Sequence, residues 1–318
     1  MTSSLTDVLI LGAGPAGLAV AGGLARQLHT AIVFNSSQYR NARAQHMHNV
    51  PGWDHRPPSE FRDKARADIL SRYETIQFKD VEISQVRKLD TGQFEAVDAN
   101  GDSHVGKRLV LATGVQDVMP DIPGFAELWG TAIFHCLFCH GYEERGHDSA
   151  GLLASGPMMN TGNSSGVARM ASRLAGQVRI YTNGNTDFGA EVRVLLKSTK
   201  RFHIENRRVV RFEKDPSVGG SAGVLVVLDD GTVNKEAFVA HAPATVQTAP
   251  FAQQLGLGLA PQGHVETNAP FNSTSIPGVF AVGDCATLIK AVPPSIMMGG
   301  LAAAGLAHSL QEEEDVAE

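Results

Sequence analysis

The stretch DVLILGAGPAGLAVAGGLARQL, Asp7 to Leu28, sets a short apolar run, a glycine loop and a helix-forming segment in series. Gly12, Gly14 and Gly17 take the glycine positions of GxGxxG, with Pro15 and Ala16 between the last two, in the strand, turn and helix context that a dinucleotide-binding unit requires. Bare backbone at such a turn lets a pyrophosphate approach the amides at the positive end of the helix. The fold class that follows is α/β with Rossmann-like domains. A second apolar strand, Thr30 to Phe34, ends at Asn35, where a ribose-binding carboxylate often sits. Asn35 departs from that pattern, yet an amide still hydrogen-bonds ribose hydroxyls, so it is kept as a cofactor contact.

Working outward, two more strand-to-loop segments appear. LVLATG runs from Leu109 to Thr113 and Gly114, and GVFAVGDC, Gly278 to Cys285, delivers Gly283 and Asp284 to a loop before a small-residue helix, Gly299 to Leu310. Between them lies CLFCHGYE, Cys136 to Glu143. Two cysteines separated by two residues close a small disulfide ring, and a helix start beneath them would stabilise the thiolate that exchanges. His140 follows the pair directly and titrates in the range where thiol exchange needs a proton carrier.

Composition sets the outer limits. The chain has 318 residues, 43% hydrophobic, with formal net charge -6, which suits a soluble protein of about two domains. No block of Lys or Arg builds a face for nucleic acid, and the acidic run Glu312 to Asp315 reads as a solvated tail. The first residues lack a basic n-region and a cleavage site, and no run is long enough to span a membrane. Three cysteines are too few for a secreted disulfide framework, so a reducing compartment, the cytoplasm, is expected. No metal is expected. A second zinc ligand pair is lacking, and His46 and His48 form an HxH with no carboxylate or thiol partner nearby in sequence.

The set GAGPAG, ATG and GVFAVGD, in this order and with CxxC between the last two, resembles the low-molecular-weight thioredoxin reductase family over essentially the whole chain. The resemblance implies FAD as cofactor and a homodimer. It also implies that the matching glycines and Asp284 contact the FAD pyrophosphate and ribityl, with Asn49 of HNVPGW and the backbone near Val81 along the cofactor. Arg40, Thr113, Gly114, Gly283 and Val292 join the same implied cofactor set. Ala291 and Val292 stand where reductases carry an Arg and Gln pair near the isoalloxazine, so a less polar flavin edge is expected. The implied layout is an FAD domain formed by residues 1–117 and 246–318, with an inserted pyridine-nucleotide-domain-like module, 118–245, that carries the cysteines. Candidate hinges fall at Asp117 to Pro120 and His241 to Thr245.

A thioredoxin reductase repeats the glycine fingerprint in its inserted domain to bind NADPH. Here Gly156 is followed by Pro157, Met158 and Met159, and the next strand ends in Tyr181, Thr182 and Asn183 without paired arginines. With the pyridine nucleotide lost but flavin and dithiol retained, electrons flow most simply from an external dithiol to FAD and dioxygen. CLFCHGYE, with His140 where reductases usually carry an acidic residue, and HMHNVPGWDH, His46 to His55, resemble the dithiol oxidases that close disulfides in natural products such as gliotoxin and holomycin. That resemblance implies a small-molecule dithiol substrate, with Cys136 attacked, Cys139 expelled against the flavin, His140 moving protons, and hydrogen peroxide released. The alternatives are a disulfide reductase fed by NADPH or another donor, and a redox-inactive flavoprotein, against which the intact CxxC argues. His140 packed against Glu143 is the structural reading of that residue, and Cys285, Met297 and Met298 read first as packing residues.

Overall fold

The computed structural model describes residues 5–218 and 223–317. Strand β1 (Thr6–Leu11) leads through the glycine loop into helix α1 (Pro15–Ala25), and β2 (Ala31–Phe34) follows. Helix α2 (Pro58–Arg72) precedes β3 (Ile76–Lys79), and β4 (Ile83–Lys88), β5 (Phe94–Asp98) and β6 (Ser103–Leu111) form a meander. The strands make one sheet in the order β3-β2-β1-β6-β5-β4. β1 is parallel to β2 and β6 and lies between them, which is why Val8 to Leu11 read as an unbroken apolar run rather than an alternating one.

The chain then leaves this sheet through β7 (Val115–Val118) and helix α3 (Phe125–Leu128). Strands β8 (Ile133–Phe134) and β9 (His147–Leu153), helix α4 (Thr161–Ala171), β10 (Ala175–Tyr181), helix α5 (Thr186–Leu195) and β11 (Phe202–Glu205) form a second α/β unit. An antiparallel meander follows, β12 (Val209–Lys214), β13 (Val224–Leu228) and β14 (Val233–Glu236). β15 (Val239–Ala240) completes a parallel sheet in the order β11-β10-β9-β15-β8. β16 (Ala244–Gln247) pairs antiparallel with β7, Thr245 opposite Asp117. The two chain crossings at the proposed hinges are thus one hydrogen-bonded ribbon.

After helix α6 (Phe251–Gln254), β17 (Val279–Ala281) returns to the first sheet beside β6, and helix α7 (Val292–Ala317) ends the chain. α7 begins before and ends after the small-residue run Gly299 to Leu310 that marks it in sequence. Its small residues let α1 and α7 approach closely: a Cβ on Gly299 would stand 2.3 Å from the Ala16 carbonyl oxygen. The acidic run Glu312 to Asp315 lies on exposed last turns of α7 rather than in a tail, and Glu313 pairs with Arg108 at 2.9 Å. Among the described residues no helix is long and apolar enough to cross a membrane.

Separate apolar cores follow from this path. One is built from β1, α1, β6, β17 and α7; another from β9, β10, α4 and α5; a third from Phe125, Trp129, Phe212 and the strands around them.

Candidate functional site

The carboxyl ends of β1, β2 and β6 open onto one cavity of about 260 Å³. The glycine loop forms its floor: Gly12, Gly14, Pro15 and Ala16 line it. Gly14 is the N-cap of α1, no side chain caps that end, and a Cβ added to Gly14 would project into open space. A free helix N-terminus facing a cavity is what a pyrophosphate requires. Gly17 lies beneath the floor: a Cβ there would stand 1.9 Å from the Gly12 carbonyl oxygen. Its role is to seat the helix against the turn.

Asn35 and Val81 line the same cavity, as do Thr113, Gly114 and Gly283. The Asn35 side chain is not held ready for a sugar alone. It donates to Asp80 Oδ1 at 2.8 Å and accepts from the Tyr39 hydroxyl at 2.7 Å and the Ser37 amide at 3.0 Å. The carboxylate missing after β2 therefore arrives after the neighbouring strand. Phe34 pairs with Lys79, so Asn35 and Asp80 leave adjacent parallel strands in step. Arg66 first, then Asn35, hold the Asp80 carboxyl down at about 2. Asp80 was missed in sequence because QFKD, Gln77 to Asp80, carries no motif of its own; its parallel with IVFN, Ile32 to Asn35, was the available signal.

Arg40 and Asp284 also line the cavity and touch each other. Arg40 Nη1 donates to Asp284 Oδ2 at 3.1 Å, and Nη2 donates to Asp117 Oδ1 at 2.7 Å. One guanidinium so ties the segment after β2, the β7 ribbon and the GD loop. Burial raises the Asp284 carboxyl, and the Arg40 charge opposes that. Asp117, a candidate hinge residue by sequence, is also part of this wall.

Across the cavity lie Asn49, Cys139, His140 and Val292. Cys136 and Cys139 form a disulfide, Cα to Cα 5.2 Å. The pair sits in a hydrogen-bonded turn after β8 instead of at a helix start, with the amides of Cys139 and His140 donating to the Cys136 carbonyl. Leu137 to Cys139 is too short a turn to carry a helix dipole, so any thiolate stabilisation comes from these neighbours. Cys139 faces the cavity, and Cys136 is not in its wall. The backbone passing between the two cysteines is pinned by Asn49, whose Nδ2 donates to the Phe138 carbonyl.

His140 does not pack on Glu143. Its ring stacks on Phe134, centroids 4.8 Å apart, while Glu143 Oε1 lies 3.4 Å from His48 Nε2. Burial pushes the His140 imidazole below its ordinary range, and the His48 side chain adds to that shift against Glu143. His135 is pushed further, down to about 3, by burial and then by Arg40. Both imidazoles are thus neutral near pH 7, and His135 is the weaker base of the two. The expectation that the HxH has no carboxylate nearby is corrected for His48, which meets Asp54 six residues on and, across the fold, Glu143.

Cys285 is fully buried and donates to the Leu111 and Val282 carbonyls; burial raises its thiol, as suits a packing residue. Met298 is buried in the first core, and Met297 is exposed.

The second glycine-loop region differs from the first in its chemistry. Gly156–Met159 is a 3-10 turn with Met158 buried; the Ser164 hydroxyl donates to the Met158 carbonyl, and Asn163 Nδ2 donates to Pro157. The N-terminus of α4 is capped by Asn160, which accepts from the Asn163 amide at 3.0 Å. At the end of β10, Tyr181 is buried against Glu236, Thr182 donates to Asn206, and Asn183 accepts from the Val209 amide. The second loop thus differs from the first in carrying Pro157 and Met158 after its glycine and a side-chain cap on its helix.

The family model "Pyridine nucleotide-disulphide oxidoreductase" matches residues 6–149 and 169–299. "Thioredoxin reductase aclD" of Aspergillus oryzae is 44% identical over 316 residues, covering 99% of each chain. Among solved structures, an oxidoreductase from Agrobacterium tumefaciens superposes with TM-score 0.83 at 30% identity, over 96% of this chain and 99% of its own. HlmI superposes with TM-score 0.87 at 26% identity, over 100% and 96%.

Proposed function

The chain belongs to the pyridine nucleotide-disulphide oxidoreductase family, with FAD as cofactor, and we propose that within this family it is a dithiol oxidase. The enzyme would oxidise a small dithiol to its intramolecular disulfide and pass the electron pair to dioxygen. The observation that carries this reading is the contrast between the two glycine loops. The first leaves its helix N-terminus bare over a cavity shared with Cys139; the second carries Pro157 and Met158 after its glycine, and Asn160 caps its helix. Electrons from NADPH would need the second site, and those from a dithiol need only the first.

The chain's own groups account for the thiol chemistry. A substrate thiolate attacks Cys136 Sγ, the Cys136–Cys139 bond breaks, and a mixed disulfide forms with Cys139 released as thiolate. His140 Nδ1 or Nε2, neutral by burial, takes the proton from the second substrate thiol. That thiolate attacks the substrate sulfur of the mixed disulfide, closing the product and releasing Cys136. Two electrons now reside on the cysteine pair and one proton on His140, the first substrate thiol having released its own proton to solvent before attack. FAD, held by the glycine loop at Gly12 to Ala16, would supply a two-electron acceptor facing Cys139, with dioxygen as the final oxidant and hydrogen peroxide as its product.

The test is anaerobic stopped-flow absorbance of FAD-loaded protein mixed with NADPH or with a reduced small dithiol, followed by air. Flavin bleaching by the dithiol alone, with recovery and peroxide on admitting air, is the expected result. Bleaching by NADPH at a comparable rate would make the protein a reductase instead.

A further inference from the structure

His48, His55 and Glu143 converge beside the redox turn, their ligand atoms within 4.8 Å of one another. His48 Nε2 is 3.4 Å from Glu143 Oε1, and His55 Nδ1 is 4.0 Å from the same oxygen. We propose that these three side chains form a binding site for a divalent transition-metal ion of the zinc class. Two imidazoles and one carboxylate make a borderline nitrogen and oxygen donor set, which suits Zn2+ and disfavours Mg2+ or Ca2+, ions that seek oxygen alone. Three protein ligands leave a fourth position open.

The surroundings are arranged for such a site. Asp54 Oδ1 lies 3.2 Å from His48 Nδ1, so the carboxylate accepts from that nitrogen and leaves Nε2 as the metal-facing lone pair. The His55 amide donates to the Met47 carbonyl, and the Met47 amide to Arg56, which locks two passes of one loop together. His55 holds φ at +59°, a backbone region that costs a bulky residue energy, and its ring lies parallel to His46 with centroids 4.1 Å apart. Glu143 comes from a different segment, the turn that follows the cysteine pair. An ion here would therefore link the loop 46–56 to the segment bearing Cys136 and Cys139, in parallel with the Asn49 to Phe138 hydrogen bond.

The site uses neither the disulfide nor the glycine loop, though His48 also lines the cofactor cavity, so its test reads metal binding and not oxidase activity. It is tested with untagged, FAD-loaded, disulfide-form protein dialysed against buffered free Zn2+, with thermal unfolding as a second readout. One Zn2+ per chain is expected, together with a rise in Tm on loading. His55→Ala and Glu143→Gln should each weaken binding by at least about tenfold and cancel the Tm rise, with Asp54→Asn weakening it less. His203→Ala, on β11, serves as the control and should bind as wild type does. His55 and Glu143 are exposed, so neither substitution threatens folding, and retained FAD absorbance verifies that. No bound Zn2+ in the wild type, or equal affinity in both variants, would overturn the proposal.

Discussion

The side-chain amide of Asn49 donates to the main-chain carbonyl of Phe138, 2.5 Å away, on the turn between the two redox cysteines. Residues 89 apart in sequence are thus joined where the disulfide meets the cofactor cavity. Asn49 sits at φ +63°, a left-handed conformation that asparagine tolerates better than most residues, and this aims its amide across the cavity. Asn49→Ala should leave the fold and the FAD content intact while lowering kcat by about tenfold to a hundredfold, since the turn loses its placement. Steady-state oxygen uptake checks this, and unchanged kcat would show the contact to be idle.

Cys136→Ser and Cys139→Ser should each retain bound FAD, because the first is outside the cavity wall and the second exchanges sulfur for a near-isosteric oxygen at one point of it. Turnover in either variant should fall below about one thousandth of wild type, as for removal of any member of a catalytic unit. In both variants the flavin should stay unbleached by dithiol, because exchange needs the Cys136–Cys139 bond. Full activity in one of them would refute the exchange sequence.

The proton role of His140 predicts the shape of the pH profile. Burial lowers its pKa, so the neutral, accepting form is present throughout the range above the ordinary value of about 6.5. The acid limb of kcat/KM assigned to this group should therefore lie below pH 6.5, with no loss as pH rises from 6.5 to 8. His140→Ala should erase that limb and lower kcat by about a hundredfold to ten-thousandfold. An identical limb in the variant would move the proton carrier elsewhere.

Gly17→Ala places a methyl 1.9 Å from the Gly12 carbonyl oxygen, which belongs to the backbone and has no side chain to move aside. The loop floor must shift, and FAD should be lost on gel filtration with destabilisation of about 2–4 kcal/mol by urea unfolding. Gly22→Ala, on the same helix with open space at its Cβ, should bind FAD normally.

His135 makes stability acid-sensitive. Its folded pKa, about 3, lies below the unfolded value, so between those limits the unfolded chain binds the proton first. The contribution is whole above pH 6.5 and declines as pH falls, by about 1.4 kcal/mol per unit for one group. Urea midpoints between pH 7 and 5 should show a shallower slope in His135→Gln than in wild type. Equal slopes would assign the loss to other groups.

Much of the molecule was legible because its signals are local. The strand, glycine loop and helix at the start, the ATG and GD loops, and the adjacency of Cys136, Cys139 and His140 each need only a few neighbouring residues. The cavity accordingly gathers Gly12, Gly14, Asn35, Arg40, Asn49 and Asp284 from both ends of the chain and Cys139 and His140 from its middle. What stayed hidden was pairwise and long-range. Asp80 joins Asn35 only because β2 and β3 are parallel neighbours, and Asp117 reaches Arg40 only through the ribbon of β7 with β16. The turn under the cysteines was read as a possible helix start, but Leu137 to Cys139 closes too few residues to propagate one.

The sequence by itself determined that a glycine loop, Gly12 to Gly17, joins a strand to a helix and that a vicinal cysteine pair stands beside a histidine, since bare backbone and vicinal thiols act at the range of a single turn. Only the tertiary structure decided what surrounds each glycine loop. Pro157, Met158 and Met159 already set the second apart in sequence, but the burial of Met158 comes from packing between segments. The same holds for His48, His55 and Glu143, whose side chains meet because the chain folds back on itself, placing donors that no spacing rule connects within one coordination sphere.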